Sequence, residues 1–277
     1  MGFLNNKFYL TLNLLCLLFF LGSCSINKNR EFVYKAYVIN LEKSKNRMKI
    51  AQDQLSKQNI AFERFNAVDG YKIEITDIES GEKFTGQDIK DKKQKLIRWH
   101  KYFIDCKGDP KTNFTYLRTK KYMLTPGEFG CMCSHRAVLL NAIKEKLDYV
   151  IVFEDDISII SSDFVFLLHS AINQLPKNSI AFLDAHGPDV KHIIRNQKAK
   201  QLYFRLNGPE IYGNYALVYD IAAAKKVFNI KEEIMPIDNR IGEMIRDKTI
   251  YGYLLNKKSI TYDHLLGSHI KEMGRPH

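Results

Sequence analysis

The sequence predicts an α/β fold, a sheet with parallel strands flanked by helices, and three observations carry that reading. The first is Tyr149-Val150-Ile151-Val152-Phe153, an apolar run that ends in Glu154, Asp155 and Asp156. A short run of β-branched and aromatic residues reads as a strand buried on both faces, at home in the middle of a parallel sheet. The second is a strand, helix, strand succession over residues 36–65, the pattern of a right-handed βαβ crossover. The third is a helix opening at Thr125 with a capping box and proline at its first position, directly before the central strand.

Composition leaves ample material for a core. The chain has 277 residues, 45% of them hydrophobic, which allows one large domain or two small ones. Its 42 Lys+Arg against 31 Asp+Glu leave a net charge of +11, a balance that favours anionic partners. The basic residues are scattered, with one dense patch from Lys90 to Lys101, and form no groove-reading motif; nucleic acid is therefore disfavoured as a partner. The five cysteines, Cys16, Cys24, Cys106, Cys131 and Cys133, show neither a zinc spacing nor a disulfide framework.

Residues 1–30 stand apart. Lys7 precedes an apolar run from Phe8 to Leu21, short for a spanning helix and of the right length for a signal peptide. Three readings stay open. Leu21-Gly22-Ser23-Cys24 resembles a lipoprotein cleavage box. An uncleaved anchor would leave the domain in the cytoplasm, because Lys28, Arg30 and Lys35 outweigh Lys7. A secretory signal would make Asn113-Phe114-Thr115 a glycosylation site. Membrane association or export is expected, with the side of the membrane open.

The folded domain, residues 34–277, begins with the strand Ala36 to Leu41. Ser44 to Gln58 is helical by the spacing of Met48, Ala51 and Leu55, and Ala61 to Phe65 is the second strand. That strand ends in Asn66-Ala67-Val68-Asp69-Gly70, which puts Asp69 where nucleotide-binding folds place an acid, or in a plain Asp-Gly turn. Residues 71–124 lack periodicity and form an insertion or flap, with Trp99 beside His100. The helix from Thr125 to about Lys146 sets Phe129, Cys133, Ala137 and Leu140 on one face. Ser134 and His135 are adjacent in it and point about 100° apart, so they form no nucleophile–base pair.

After the central strand, Ser161 to Gln174 is a helix and Ser179 to Leu183 a strand ending at Asp184 and His186. Gly213 to Tyr219 is flexible, then strand-like. Asp220 caps a helix through Phe228, Pro236-Ile237-Asp238 opens another to Arg246, and Ile250 to Leu255 is a final strand. Three carboxylates crowded at one strand end repel one another unless a positive group sits among them. A hard divalent cation on oxygen ligands answers that need, and an exposed acidic turn is the plainer alternative.

Several blocks together resemble glycosyltransferase family 25, which includes lipooligosaccharide and procollagen galactosyltransferases. They are Tyr37 to Leu41 with Lys45-Asn46-Arg47, then Phe65 to Gly70, then Leu124 to Cys131 with Ser134-His135, then Val152 to Asp156. Weaker echoes lie at Gly213 to Val218 and Pro236 to Asp238. The resemblance implies a GT-A-like fold with a Rossmann-like mixed sheet, a UDP-sugar donor, and sugar transfer to a hydroxyl of a glycan or lipid-linked acceptor, as in lipopolysaccharide biosynthesis. It makes Glu154, Asp155 and Asp156 the holders of Mn²⁺ or Mg²⁺ and puts Asn40, Arg47, Asp69, Ser134 and His135 on the nucleotide side. For an inverting transfer, Asp238 and Asp184 are the candidate bases. The tryptophan usual after the Ser-His turn is absent, with Leu139-Leu140 in that region, and residues 71–124 have no counterpart. The competing reading is a catalytically inactive, lipid-anchored protein that binds glycans.

Overall fold

In the computed structural model, the described residues are 32–77, 83–91, 102–105, 115–116, 125–188, 190–191, 202–229 and 235–263. The chain divides into two units, Met1–Phe32 and Val33–His277, and the fold is that of the second. In chain order its elements begin with β1 (Tyr34–Asn40), α1 (Lys45–Lys57) and β2 (Glu63–Asn66). A 3-10 turn at Gly70–Lys72 leads to β3 (Glu74–Asp77), β4 (Lys83–Thr85), α2 (Gly86–Asp91), β5 (Tyr102–Asp105) and β6 (Thr115–Tyr116). Then come α3 (Pro126–Lys144), β7 (Tyr149–Glu154), β8 (Ile157–Ile159), α4 (Phe164–Gln174), β9 (Ser179–Phe182) and β10 (Tyr203–Leu206). The last are β11 (Ala216–Asp220), α5 (Ile221–Phe228), α6 (Ile237–Arg246), β12 (Tyr251–Leu255) and β13 (Ile260–Tyr262).

The central sheet has seven strands in the order β10-β12-β9-β11-β7-β1-β2. The βαβ unit is present: β1 and β2 are parallel, with Ile39 opposite Phe65. β7 pairs parallel with β1 and antiparallel with β11. The central strand thus sits not in a wholly parallel sheet but in the mixed sheet that the family resemblance implies. β9 ends at the carboxyl rim, β10 runs down from it, and the chain climbs back over residues 207–215, so β11 starts at the rim and runs down again. At its foot the Asp220 carboxylate accepts from the N–H groups of Ala222 and Ala223 and starts α5.

Alternation along the strands splits the core into two layers. Tyr37, Ile39, Val150 and Val152 face one way, onto Phe129, Cys133 and Ala137 of α3 and Ile241 of α6. Ala36, Val38, Ile151 and Phe153 face the other, onto Ala51 and Leu55 of α1 and Phe164 and Leu168 of α4. That is why β7 reads as an unbroken apolar run.

The capping box forms as expected: Thr125 N–H donates to Glu128 Oε2 at 2.8 Å, and Glu128 N–H donates to Thr125 Oγ1 at 3.2 Å. The single apolar face expected for this helix is corrected. Every residue from Met132 to Leu139 is buried, while Leu140 is only half-buried. The sheet covers one side of α3, and α5, α6 and the 3-10 turn cover others. The span 71–124 carries a sheet of its own, in the antiparallel order β4-β3-β5-β6. Trp99, His100, Asn113, Cys24 and the rest of the N-terminal segment lie outside the described residues. No helix among the described residues is long and apolar enough to cross a membrane.

Gly70 and Gly130 let the 66–70 loop lie directly on α3. A Cβ at Gly70 would stand 1.6 Å from the Pro126 carbonyl oxygen, and one at Gly130 would stand 2.6 Å from that of Val68. Backbone cannot yield as a side chain can. Gly70→Ala is therefore expected to lose stability at or beyond the upper end of the usual overpacking cost of about 1–3 kcal/mol. Gly252→Ala, whose Cβ would meet the movable end of Ile245 at 2.4 Å, is expected to lose less. Urea unfolding of the two variants checks the order.

Candidate active site

The site is built where β1 and β7 end side by side. Their register sets Ile39 opposite Glu154, so Asn40 lies next to the acid turn. The Asn40 amide donates to Asp155 Oδ2 at 2.6 Å and to the Ser44 carbonyl at 3.0 Å, and its Oδ1 accepts from Arg64 Nε at 2.9 Å. From the first turn of α1, Arg47 Nη2 reaches Asp155 Oδ1 at 2.6 Å and Asp156 Oδ2 at 2.9 Å. Arg47 is the positive group that the crowded acids require, and the positive end of α1 points the same way. Both Asp155 oxygens are thereby engaged. Asp156 Oδ1 is buried and has no hydrogen-bond partner among the described residues.

Glu154 faces α3. Its Oε1 lies 3.1 Å from His135 Nε2 and 3.6 Å from Cys131 Sγ, while its N–H donates to the Tyr215 carbonyl at 2.8 Å. Ser134, one residue before His135, turns to the 66–70 loop instead. Its hydroxyl donates to the Gly130 carbonyl at 2.7 Å and accepts from Val68 N–H at 2.8 Å. Asp69 caps the 3-10 turn through Tyr71 N–H at 3.2 Å and pairs with Lys43 at 3.1 Å.

A cleft opens between these groups, lined by Lys43, Arg47, Asp69, Tyr71, Glu154 and Asp156. A cavity of about 880 Å³ exists elsewhere, between Tyr34, Lys57, Glu63 and His169. It lies at the amino ends of β1 and β2, away from the carboxyl rim where open α/β sheets take their ligands. Chemistry rather than size therefore selects the smaller cleft.

Electrostatics set the acids apart. Burial pushes Asp156 up to about 7, with the charge of Glu154 adding to it and Arg47 opposing. Burial likewise lifts Asp238 to about 7, helped by Glu154 and opposed by His135 and the Gly213 N–H bond. Burial also raises Glu154, but His135 and Arg47 outweigh it and hold that carboxyl below its ordinary value. The Cys131 thiol is pushed well up by burial and by the charges of Glu154 and Asp238.

Asn40, Arg47, Asp155 and Asp156 thus form one bonded group and Glu154 and His135 a second beside it, with Asp69 and Ser134 on the flank and Asp238 within the field of Glu154. Asp184 sits farther along the rim. It accepts a hydrogen bond from the Tyr215 hydroxyl at 2.5 Å and lies 3.5 Å from Lys258 Nζ. Sequence reasoning passed over Cys131, Tyr215 and Lys43. The signal for Cys131 was its i, i+4 spacing from His135, which sets both on one helical face.

Residues 33–260 match glycosyltransferase family 25, described as an LPS biosynthesis protein. The chain belongs to glycosyltransferase family 25. A Haemophilus influenzae protein named provisionally as a glycosyltransferase is 31% identical over 121 residues, which are 44% of this chain and 32% of that protein. The matched stretch thus spans about a third of the relative's length. A solved structure of mannose-1-phosphate geranyltransferase from Thermus thermophilus matches at 13% identity over 50% of this chain and 42% of that one, with a TM-score of 0.27. That score carries no argument, and the mixed α/β architecture of this family 25 chain rests on its own sheet.

The raised acids give stability a definite pH dependence. From about pH 4 to about 7 the folded chain keeps protons on Asp156 and Asp238 that the unfolded chain, at its ordinary value of 3.8, has released. Stability contributed by these two groups therefore falls as pH rises through that window and levels off above it. Glu154 acts oppositely, losing its contribution only as pH falls below its ordinary 4.5. Urea unfolding in EDTA at a series of pH values is expected to show a decline from about pH 5 to about 7, flattened in Asp156→Asn and Asp238→Asn. A rise over that interval would mean the two acids are already ionised.

Proposed function

We propose that this domain transfers a hexose, galactose foremost, from a UDP-sugar to a hydroxyl of a glycan or lipid-linked acceptor in lipopolysaccharide or lipooligosaccharide assembly. The observation that carries this reading is the acid turn. Asp156 holds a buried oxygen with no partner among the described residues, and negative charge there exceeds what Arg47 supplies. That excess fits a hard divalent cation, Mn²⁺ or Mg²⁺, held by Glu154 and Asp156, with Asp155 locked by Arg47 and Asn40 as the support beneath them. Once bound, such a cation stabilises the charge gathering on the departing diphosphate, worth several kcal/mol.

The other roles fall to the chain's own groups. Lys43 and Arg47 line the same cleft and offer positive charge to a nucleoside diphosphate. Tyr71, with Lys43 5.6 Å from its ring centroid, gives a flat wall beside Asp69 for the nucleoside. Asn40 and Ser134 act by positioning, since their hydrogen bonds are spent on the acid turn and the 66–70 loop. Asp238 is the base we assign, because a carboxylate titrating near neutrality can take the acceptor's proton. Asp184 is already occupied by Tyr215 and Lys258. Membrane association through residues 1–30 belongs to the same proposal and is tested by fractionating the full chain.

A panel of UDP-sugars with Mn²⁺ and glycan acceptors tests the reaction through UDP release. Asp156→Ala is expected to lose at least about 10²-fold in kcat/KM; undiminished, metal-independent turnover would remove the assignment. Asp238→Asn is expected to lose about 10²–10⁴-fold in kcat with the donor KM retained. Because the base must be ionised, the wild-type rate should rise as pH rises through about 7, and Asp238→Asn should lack that rise.

A further inference from the structure

Cys131, His135 and Glu154 form a cluster that the proposed reaction leaves partly unexplained. Cys131 and His135 stand one turn apart on α3 and face the end of β7. Cys131 Sγ, a His135 ring nitrogen and a Glu154 oxygen all lie within 4.8 Å of one another. The individual spacings are more telling. Sγ to Oε1 is 3.6 Å and Nε2 to Oε1 is 3.1 Å. A tetrahedral zinc, with bonds of ~2.3 Å to sulfur and ~2.0 Å to nitrogen or oxygen, sets such atoms roughly 3.3–3.6 Å apart. The edges that meet at Glu154 already match a coordination tetrahedron to within a few tenths of an ångström.

Ligand chemistry chooses the metal. One thiolate, one imidazole and one carboxylate suit a borderline ion of the zinc class and not magnesium or calcium, which take oxygen shells. His135 is fully buried, and α3 fixes both its position and that of Cys131, so the site is held on a rigid element. Cys131 and Glu154 also line the cleft, which gives an ion a way in and leaves a fourth position facing solvent or substrate. Three protein ligands with one open position is the arrangement of reactive rather than purely structural zinc sites.

We propose that Cys131, His135 and Glu154 form a binding site for a zinc-class divalent cation, open on its fourth side to the cleft. Binding replaces the thiol proton: the S–H bond breaks, a sulfur–metal bond forms and the proton leaves to solvent. Glu154 belongs to this set and to the acid turn, so occupancy draws it from the turn and zinc opposes transfer supported by Mn²⁺. That consequence rests on the proposed reaction; the binding itself does not.

Cobalt(II) is the probe, added to the reduced full chain and followed by absorbance. One equivalent should produce a near-ultraviolet sulfur-to-cobalt band together with visible bands of tetrahedral intensity, and zinc should abolish both. Cys131→Ser should lose the near-ultraviolet band, Cys133→Ser should keep it, and His135→Gln should weaken cobalt binding at least tenfold. Zinc should also protect Cys131 of the wild-type chain from iodoacetamide, read by peptide mass spectrometry, which needs no variant to fold. No sulfur-to-cobalt band in the wild type, a band that survives Cys131→Ser, or alkylation of Cys131 at the same rate with and without zinc would each overturn the site. Failure of the UDP-sugar panel with the cobalt signature intact would instead count against the transfer reaction alone.

Discussion

The Arg47 guanidinium, wedged between Asp155 and Asp156, is the interaction on which the site depends. Asp155 lies almost wholly out of water, and its neighbours are acids. A buried charge left without its partner typically costs about 3–5 kcal/mol, so the turn after β7 keeps its shape only while α1 delivers Arg47 to it. Yet one guanidinium faces three carboxylates. Asp155 takes one contact and accepts a hydrogen bond from Asn40; Asp156 takes the other and keeps an oxygen with no hydrogen-bond partner among the described residues. The third carboxylate, Glu154, turns to His135 instead.

The surrounding fold gathers supports around that imbalance. Strand order brings the ends of β1, β7 and β9 to one rim, and the return into β11 runs past them. Gly213, at φ +114°, makes the bend from which its N–H reaches Asp238, while Tyr215 anchors Glu154 through its carbonyl and Asp184 through its hydroxyl. The pairing of β8 with β13 closes the other side, with Asp263 N–H donating to the Asp156 carbonyl at 2.6 Å. The turn is therefore braced from α1, α3, β11 and β13 at once, and its side chains stay fixed while their charges remain unbalanced.

Adjacent residues of α3 show how one helix serves two walls. Ser134 fastens the 66–70 loop, and His135 leans on Glu154, because a step of one residue turns the side chain by about 100°. Cys131, one turn before His135, shares its direction. The close contact of Gly70 with the first turn of α3 brings Asp69 and Tyr71 up to the same cleft. The glycines, the serine and the histidine thus place the loop, the helix and the acid turn within one small space.

Much of this was determined by the sequence alone. The burial of β7, the βαβ crossover, the capping box at Thr125 and the cap at Asp220 are written in residues within a few positions of one another, and local hydrogen bonds and strand periodicity act over that range. The acid turn was legible as a candidate site for the same reason, since it interrupts an apolar run. The tertiary structure alone decided which group neutralises it, that Asp155 is held by both Arg47 and Asn40, that β11 runs antiparallel, and that α3 is covered on several sides. Asn40 and Asp155 are 115 residues apart in the chain and meet only because of strand order. No local window contains that order, because it follows from how two layers of helices cover one sheet.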